Sequence, residues 1–246
     1  MIGSWSRLEI AGKPADVYEP PGPGRPRFAV LHLHGASLET LHDKPAFTRL
    51  FGELKFACVC PHGKRCWWGD RLCAEFDEQV TPERHLLEQV LPFFRARWNL
   101  EPPSIGLQGI SMGGQGALRL AFKHPGLFPV VAGIASALDY HDLYGLGTPL
   151  DALYDSKEQC RQDTTILHVH PAHYPPHIFF CVDPDDEEWF RGNDRLHEKL
   201  SALGIPHEID FTTRAGGHSW DYFNHMAERV EQFVLAGLEQ QSRRLL

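Results

Sequence analysis

The sequence predicts an α/β architecture: a mainly parallel central sheet of about eight strands with helices on both faces. Short apolar runs alternate with amphipathic helical stretches along most of the chain. The run Phe28 to Leu33 is apolar at nearly every position, as a parallel strand covered on both faces requires. An early pair of strands flanks a turn at Gly12-Lys13-Pro14, so a hairpin supplies an antiparallel edge.

In chain order, Leu8-Glu9-Ile10 and Asp16-Val17-Tyr18 form the hairpin, and Pro20 to Gly24 a loop. The apolar strand ends at His34-Gly35. A helix over Pro45 to Leu54 leads into a strand at Phe56 to Cys60, closed by Pro61. Thr81-Pro82 is a good N-cap and first-turn pair for a helix through Leu86, Leu87, Val90 and Leu91, and Pro92 is expected to kink it. Pro102-Pro103 precedes the strand Ser104 to Gln108, and the helix after it stops at His124-Pro125-Gly126. A strand at Val130 to Ala135 follows. Residues 138–176 are irregular, rich in Gly, Pro, His and Tyr, with short helices expected near Pro149 to Tyr154 and Lys157 to Arg161. Regularity resumes with a strand at His177 to Val182, a helix over Asn193 to Leu203, a strand at Glu208 to Phe211 and a helix from Ser219 to Leu238.

Composition excludes several function classes. With 246 residues, 42% hydrophobic and 23% charged, the chain suits one domain with a sizeable core. Its net charge of -8, with no basic patch, argues against nucleic acid as a partner. No run approaches the roughly 18 apolar residues of a membrane span, and Met1 to Arg7 lacks a signal peptide's apolar stretch, so a cytoplasmic location away from membranes is expected. The six cysteines match no zinc template, Cys58-x-Cys60 being too closely spaced, and reduced structural thiols are expected. Oligomeric state is not legible.

Gly109-Ile110-Ser111-Met112-Gly113 is a G-x-S-x-G pattern between an apolar strand and a helix. In a nucleophile elbow the serine sits on a strained strand-to-helix turn, and the flanking glycines remove Cβ atoms that would clash. The Met112 N–H would then face an oxyanion forming on a substrate attacked by Ser111. A serine hydroxyl needs a base, and the base an orienting acid. His218, in Gly216-Gly217-His218-Ser219, lies after the last strand and before the last helix, on the same sheet edge as Ser111. The acid belongs at the end of the preceding strand, where Asp183, Asp185 and Asp186 cluster. Asp185 is the expected acid, with Asp183 and Asp186 as alternatives.

On these residues the chain resembles the α/β-hydrolase superfamily, and within it the esterase D and S-formylglutathione hydrolase-like carboxylesterases. The resemblance rests on Leu33-His34-Gly35, Gly109 to Gly114 and Gly216 to Trp220, and on the turn from Leu200 to Pro206 before the last strand. It implies an α/β-hydrolase fold with no large lid, and an oxyanion hole formed by the backbone N–H groups of Met112 and Ala36. It also implies a Ser111, Asp185, His218 triad that cleaves small-molecule carboxylic esters through an acyl-enzyme without a cofactor. The same triad serves a thioesterase or acyltransferase, and outside catalysis the alternative is a silent homologue that binds a ligand or partner in the cleft. Val182 stands where relatives carry a glycine three residues before the acid. The stretch Pro61 to Asp70 argues against S-formylglutathione itself as the substrate.

Trp67 and Trp68 follow a strand end on this edge and are expected to wall the acyl or alcohol pocket, although packing beneath a loop is as good a reading. Ser37 and Trp220 complete the expected substrate-binding set, Trp220 being better placed to anchor the last helix. His168, His170, His173 and His177 are interrupted by Pro171, Pro175 and Pro176, so no continuous helix presents them together and no metal site is expected.

Overall fold

The computed structural model describes residues 3–244. Strands β1 (Ser4–Ile10), β2 (Lys13–Glu19), β3 (Ala29–Leu33), β4 (Ala57–Pro61), β5 (Ile105–Ile110), β6 (Val130–Ile134), β7 (His177–Cys181) and β8 (Glu208–Asp210) form one sheet in the order β1-β2-β4-β3-β5-β6-β7-β8. The hairpin β1–β2 joins β4 antiparallel, and every pair from β4 to β8 is parallel. The predicted eight-stranded α/β-hydrolase fold and its antiparallel edge are both present.

Alternation along β3 divides the interior in two. Leu31 and Leu33 join one apolar cluster and Val30 the other. The second cluster is closed by α1 (Pro45–Leu54) and by Tyr222, Met226, Val230 and Val234 of the last helix. The first is closed by the helical stretch that follows α2 (Pro82–His85) through Leu86, Val90 and α3 (Leu91–Trp98), by α4 (Met112–Lys123) and α7 (Phe190–Ala202), and by Leu150 and Leu153 of the short α5 (Leu150–Leu153) and Cys160 of α6 (Lys157–Gln162). The last helix, α8, runs from Trp220 to Arg244.

Pro92 does not break its helix. The segment Leu86–Val90 between α2 and α3 is a π-turn, and the backbone stays in the right-handed helical region through Leu91. A proline removes one i→i−4 bond and crowds the carbonyl four residues back; the wider π-turn accommodates both. Thr81 caps α2 as expected, its Oγ1 accepting from the Arg84 N–H at 3.2 Å.

Beneath α8 the sheet carries a polar group that hydropathy patterning does not reveal. His32 and Gln108 are register partners on β3 and β5, and Gln108 Nε2 donates to Glu231 Oε1 at 2.8 Å. All three side chains are buried. Burial pushes the Glu231 carboxyl up to about 8 despite the Gln108 hydrogen bond, and burial brings His32 down to about 3. A carboxyl raised above its unfolded value of about 4.5 stabilises the fold fully below that value and loses the contribution as pH rises through about 8. Glu231→Gln, an isostere of the protonated acid, is therefore expected to flatten the fall in Tm between pH 6 and 9. Between pH 6 and 9 its stability relative to the wild type should rise by on the order of 2–3 kcal/mol. Parallel Tm profiles for the two proteins would contradict this.

Candidate active site

The site is assembled at the carboxyl ends of β3, β5, β7 and β8. Ser111 occupies the turn from β5 into α4 with φ 57 and ψ -119, a left-handed conformation that costs a non-glycine residue roughly 1–3 kcal/mol. The glycines of the motif make it feasible. A Cβ on Gly109 would lie 2.1 Å from the Gly113 carbonyl oxygen, and one on Gly113 would lie 1.9 Å from that of Leu33. The turn is held by the Ser111 N–H donating to the Ile134 carbonyl at 2.9 Å, while the Ser111 carbonyl accepts from Ala137 at 3.0 Å.

His218 follows Gly216 and Gly217, whose φ values of +100 and +67 bend the loop between β8 and α8. The Ser111 Oγ–H meets His218 Nε2 at 3.0 Å, and His218 Nδ1 meets Asp186 Oδ2 at 2.7 Å. Thus the imidazole contacts Asp186 and not Asp185, which corrects the sequence expectation. The cause is the turn after β7. Asp183 is fully buried; its Oδ1 accepts the Asp185 N–H at 2.8 Å and its carbonyl the Asp186 N–H at 2.9 Å. This Asx-type turn throws Asp185 outward, where its exposed carboxylate pairs with Arg214, and turns Asp186 inward.

Asp183 has a different task. Its Oδ2 accepts the N–H groups of Ala215 at 2.7 Å and Gly217 at 2.9 Å, tying the acidic loop to the histidine loop. Burial would raise its pKa, but these backbone donors hold it below the ordinary aspartate value, so it stays ionised and keeps the two loops joined.

The loop after β3 forms the facing side. His34 is buried and neutral; burial lowers it to about 4. Its Nε2 accepts the Gly63 N–H at 2.9 Å, which leaves a proton on Nδ1 to donate to the Gly35 carbonyl at 2.8 Å. That carbonyl also accepts from Leu38 at 3.1 Å. Because C=O and N–H of one trans peptide are opposed, the Ala36 N–H is aimed away from these partners. Met112 is the first residue of α4, where an N–H has no intrahelical acceptor. Ala36, Met112, Ser111 and His218 all line one cavity of about 360 Å³.

The other expected binding residues divide. Ser37, Trp67 and Trp220 line the cavity. Trp67 stacks on Tyr140 at 4.9 Å, and its carbonyl accepts a hydrogen bond from Gln115 of α4. Trp220 also anchors the start of α8, with Nε1 donating to Glu39 at 2.6 Å and Lys44 Nζ lying 3.7 Å from its ring centroid. Trp68, expected beside them, is fully buried and does not line the cavity. Its indole N–H donates to the His34 carbonyl at 3.0 Å and its ring packs on His34 and Gly116, so it braces the loop after β3 from below. Both tryptophans have left-handed backbones, φ 55 and 52, a succession that sends the adjacent rings to different places.

Sequence reasoning missed Leu143, Glu188, Trp189 and Phe223, which also line the cavity. Trp189 had a usable signal, standing just beyond the acidic loop; Leu143 lies in the irregular segment and had none. The four histidines do not converge: His168 pairs with Asp163 at 3.2 Å, His170 and His173 bridge in an exposed turn, and His177 faces Gln241 at 2.9 Å. Among the described residues no helix is long and apolar enough to cross a membrane. Their six cysteine thiols are free and buried.

Comparison with known proteins bears on the family and the fold. A family model described as "Putative esterase" matches residues 17–229. The fold is similar to that of a substrate-bound fluorophosphonate-binding serine hydrolase F from Staphylococcus aureus, at 17% identity and a TM-score of 0.77, covering 96% of this chain and 99% of that one. An S-formylglutathione hydrolase from Agrobacterium tumefaciens is similar at 17% identity and 0.77, covering 96% and 94%. A ferulic acid esterase is similar at 14% and 0.73, covering 94% and 97%. No curated protein matches the chain. At these identities the solved structures establish the fold and not the substrate.

Proposed function

From a chain that belongs to the putative esterase family and is a carboxylic ester hydrolase, we propose a Ser111–His218–Asp186 mechanism through an acyl-enzyme. The observation that carries it is the continuous hydrogen-bonded line from Ser111 Oγ through both nitrogens of His218 to Asp186, at 3.0 and 2.7 Å.

As Ser111 Oγ attacks the ester carbonyl, its proton passes to His218 Nε2. Asp186 accepts the Nδ1–H, which fixes the productive tautomer and stabilises the imidazolium. The carbonyl oxygen takes up the electron pair as an oxyanion facing the N–H groups of Met112 and Ala36. When the tetrahedral intermediate collapses, the alcohol departs with the proton from His218 and leaves the acyl group on Ser111. Water then repeats the sequence, with His218 as base, and releases the carboxylic acid. Gly35 keeps the attacking face open: a Cβ there would sit 3.2 Å from Ser111 Cβ. No step requires a group beyond the chain's own residues, a small ester and water.

A fluorophosphonate probe tests the nucleophile directly. Incubation with the folded protein is expected to add one phosphonyl group, located by peptide mass spectrometry on Ser111, with parallel loss of p-nitrophenyl acetate hydrolysis. Labelling elsewhere with activity retained would remove Ser111 from the mechanism.

A further inference from the structure

The cavity in front of Ser111 is unevenly charged. Among its lining residues only Glu39, Glu188 and His218 are acidic or basic, and neither lysine nor arginine takes part. His218 is matched by Asp186. Glu39 is committed as well, with Oε1 to Lys44 Nζ at 2.9 Å and Oε2 to the Trp220 indole N–H at 2.6 Å. Glu188 is exposed, and among the described residues no hydrogen bond or ion pair engages it.

Of the neighbouring cations, Arg214 pairs with Asp185 on the acidic loop, Arg195 of α7 pairs with Asp139 at 2.9 Å, and Arg191 at the start of α7 is exposed and acts on Asp142, whose carboxyl it helps to hold low. Among the ionisable residues that line this cavity, Glu188 is the one whose charge no hydrogen bond or ion pair answers, and it is set beside walls formed by Trp67, Trp189, Trp220 and Phe223. A carboxylate next to aromatic surface is the combination that holds an alkylammonium: the charge is attracted by the anion and by ring quadrupoles, while its methyl groups displace water from apolar surface. An anionic substrate would meet Glu188 with no lysine or arginine in the cavity lining to receive it.

We propose that Glu188 is a specificity-determining residue that directs this site toward esters carrying a tertiary or quaternary ammonium on their alcohol or acyl group. The proposal rests on the serine esterase reading above and adds the charge of the substrate to it. Glu188 is exposed and water screens its field, so the discrimination is modest. A cationic ester should exceed its neutral isostere by about tenfold in kcat/KM at low ionic strength.

The test compares acetylcholine, its neutral carbon isostere 3,3-dimethylbutyl acetate, and an acetate of similar length ending in a carboxylate. Measurements are made on wild type and Glu188→Gln at low and at 0.5 M salt, the latter a concentration that shortens screening to roughly 4–5 Å. The expected order is cationic, neutral, anionic, with the cationic-to-neutral ratio falling to about two- or threefold in Glu188→Gln and compressed by salt in the wild type. Equal turnover of the cationic and neutral esters, or a ratio unchanged in Glu188→Gln, overturns the proposal while hydrolysis of the neutral ester leaves the esterase reading standing. If none of the three is cleaved and Ser111 also refuses the fluorophosphonate, the underlying reading fails and this proposal with it.

Discussion

Asp186→Asn is expected to lower kcat/KM for a simple ester by about 10³–10⁴, whereas Asp185→Asn leaves it within about twofold. The large effect follows from the demands on the Asp186 carboxylate, which is 2% exposed. One oxygen accepts the Trp189 N–H at 3.1 Å and the other faces His218 Nδ1 at 2.7 Å. Both positions require an acceptor, and an asparagine supplies only one. If its carbonyl serves Trp189, its NH₂ points at His218 Nδ1. The imidazole then carries its proton on Nε2 and cannot receive the one from Ser111.

Asp185 makes no such demand. Its side chain is 60% exposed and its partner is Arg214, so neutralising it removes a surface ion pair worth about 1 kcal/mol or less. Steady-state kinetics of the two variants, with circular dichroism to show that both are folded, decide the assignment. A large loss in Asp185→Asn with Asp186→Asn near wild type would return the acid to the position expected from the sequence.

The difference between these aspartates marks where sequence reading stops. The elbow was legible because its pattern is local: Gly109, Ser111 and Gly113 occupy a single turn at fixed spacing, Gly109 being required by the Gly113 carbonyl of that turn and Gly113 by the Leu33 carbonyl at the end of the neighbouring strand. His218 was legible because strand order alone puts the loop after β8 on the same edge. Asp183, Asp185 and Asp186 are chemically equivalent within four residues. What separates them is the turn closed by Asp183, whose direction depends on amides of Ala215 and Gly217 more than thirty residues away. Trp67 and Trp68 posed the same difficulty, since two consecutive left-handed residues follow no helical or strand period. Glu231 and Arg119 look like surface charges on amphipathic helices, and only tertiary packing buries them.

Arg119→Met is expected to destabilise the protein by about 3–5 kcal/mol, a fall in Tm on the order of 10 °C for a chain of this size. Arg119 lies two turns into α4 from Ser111 and is 2% exposed. Its guanidinium meets Glu83 Oε2 at 2.6 Å on one side and Asp163 Oδ1 at 2.6 Å on the other. The methionine replaces much of the volume but leaves both carboxylates without their central cation. Lys123 at 2.6 Å and His124 at 3.1 Å still serve Glu83, and Tyr154 and His168 still serve Asp163, so the loss is partial.

Its pH dependence has a definite sign. In the wild type, burial opposes ionisation of Glu83, but His124, Arg119 and Lys123 together hold it at about 2. A carboxylate depressed in this way stabilises the fold above its unfolded value of about 4.5 and loses the contribution as pH falls toward 2. Without Arg119 the carboxylates protonate more readily, so the deficit of the variant should shrink as pH falls from 7 to 4. Adding Glu83→Gln and Asp163→Asn should recover part of it at neutral pH. A deficit of equal size at both pH values would indicate lost packing in place of lost charge. Catalysis should register the change too: Asp163 binds the Tyr154 hydroxyl at 2.8 Å, Tyr154 contacts the Tyr140 hydroxyl at 3.2 Å, and Tyr140 stacks on Trp67 of the cavity wall. Loosening that chain is expected to raise KM more than it lowers kcat, because Ser111, His218 and Asp186 are held by contacts in which Arg119 has no part.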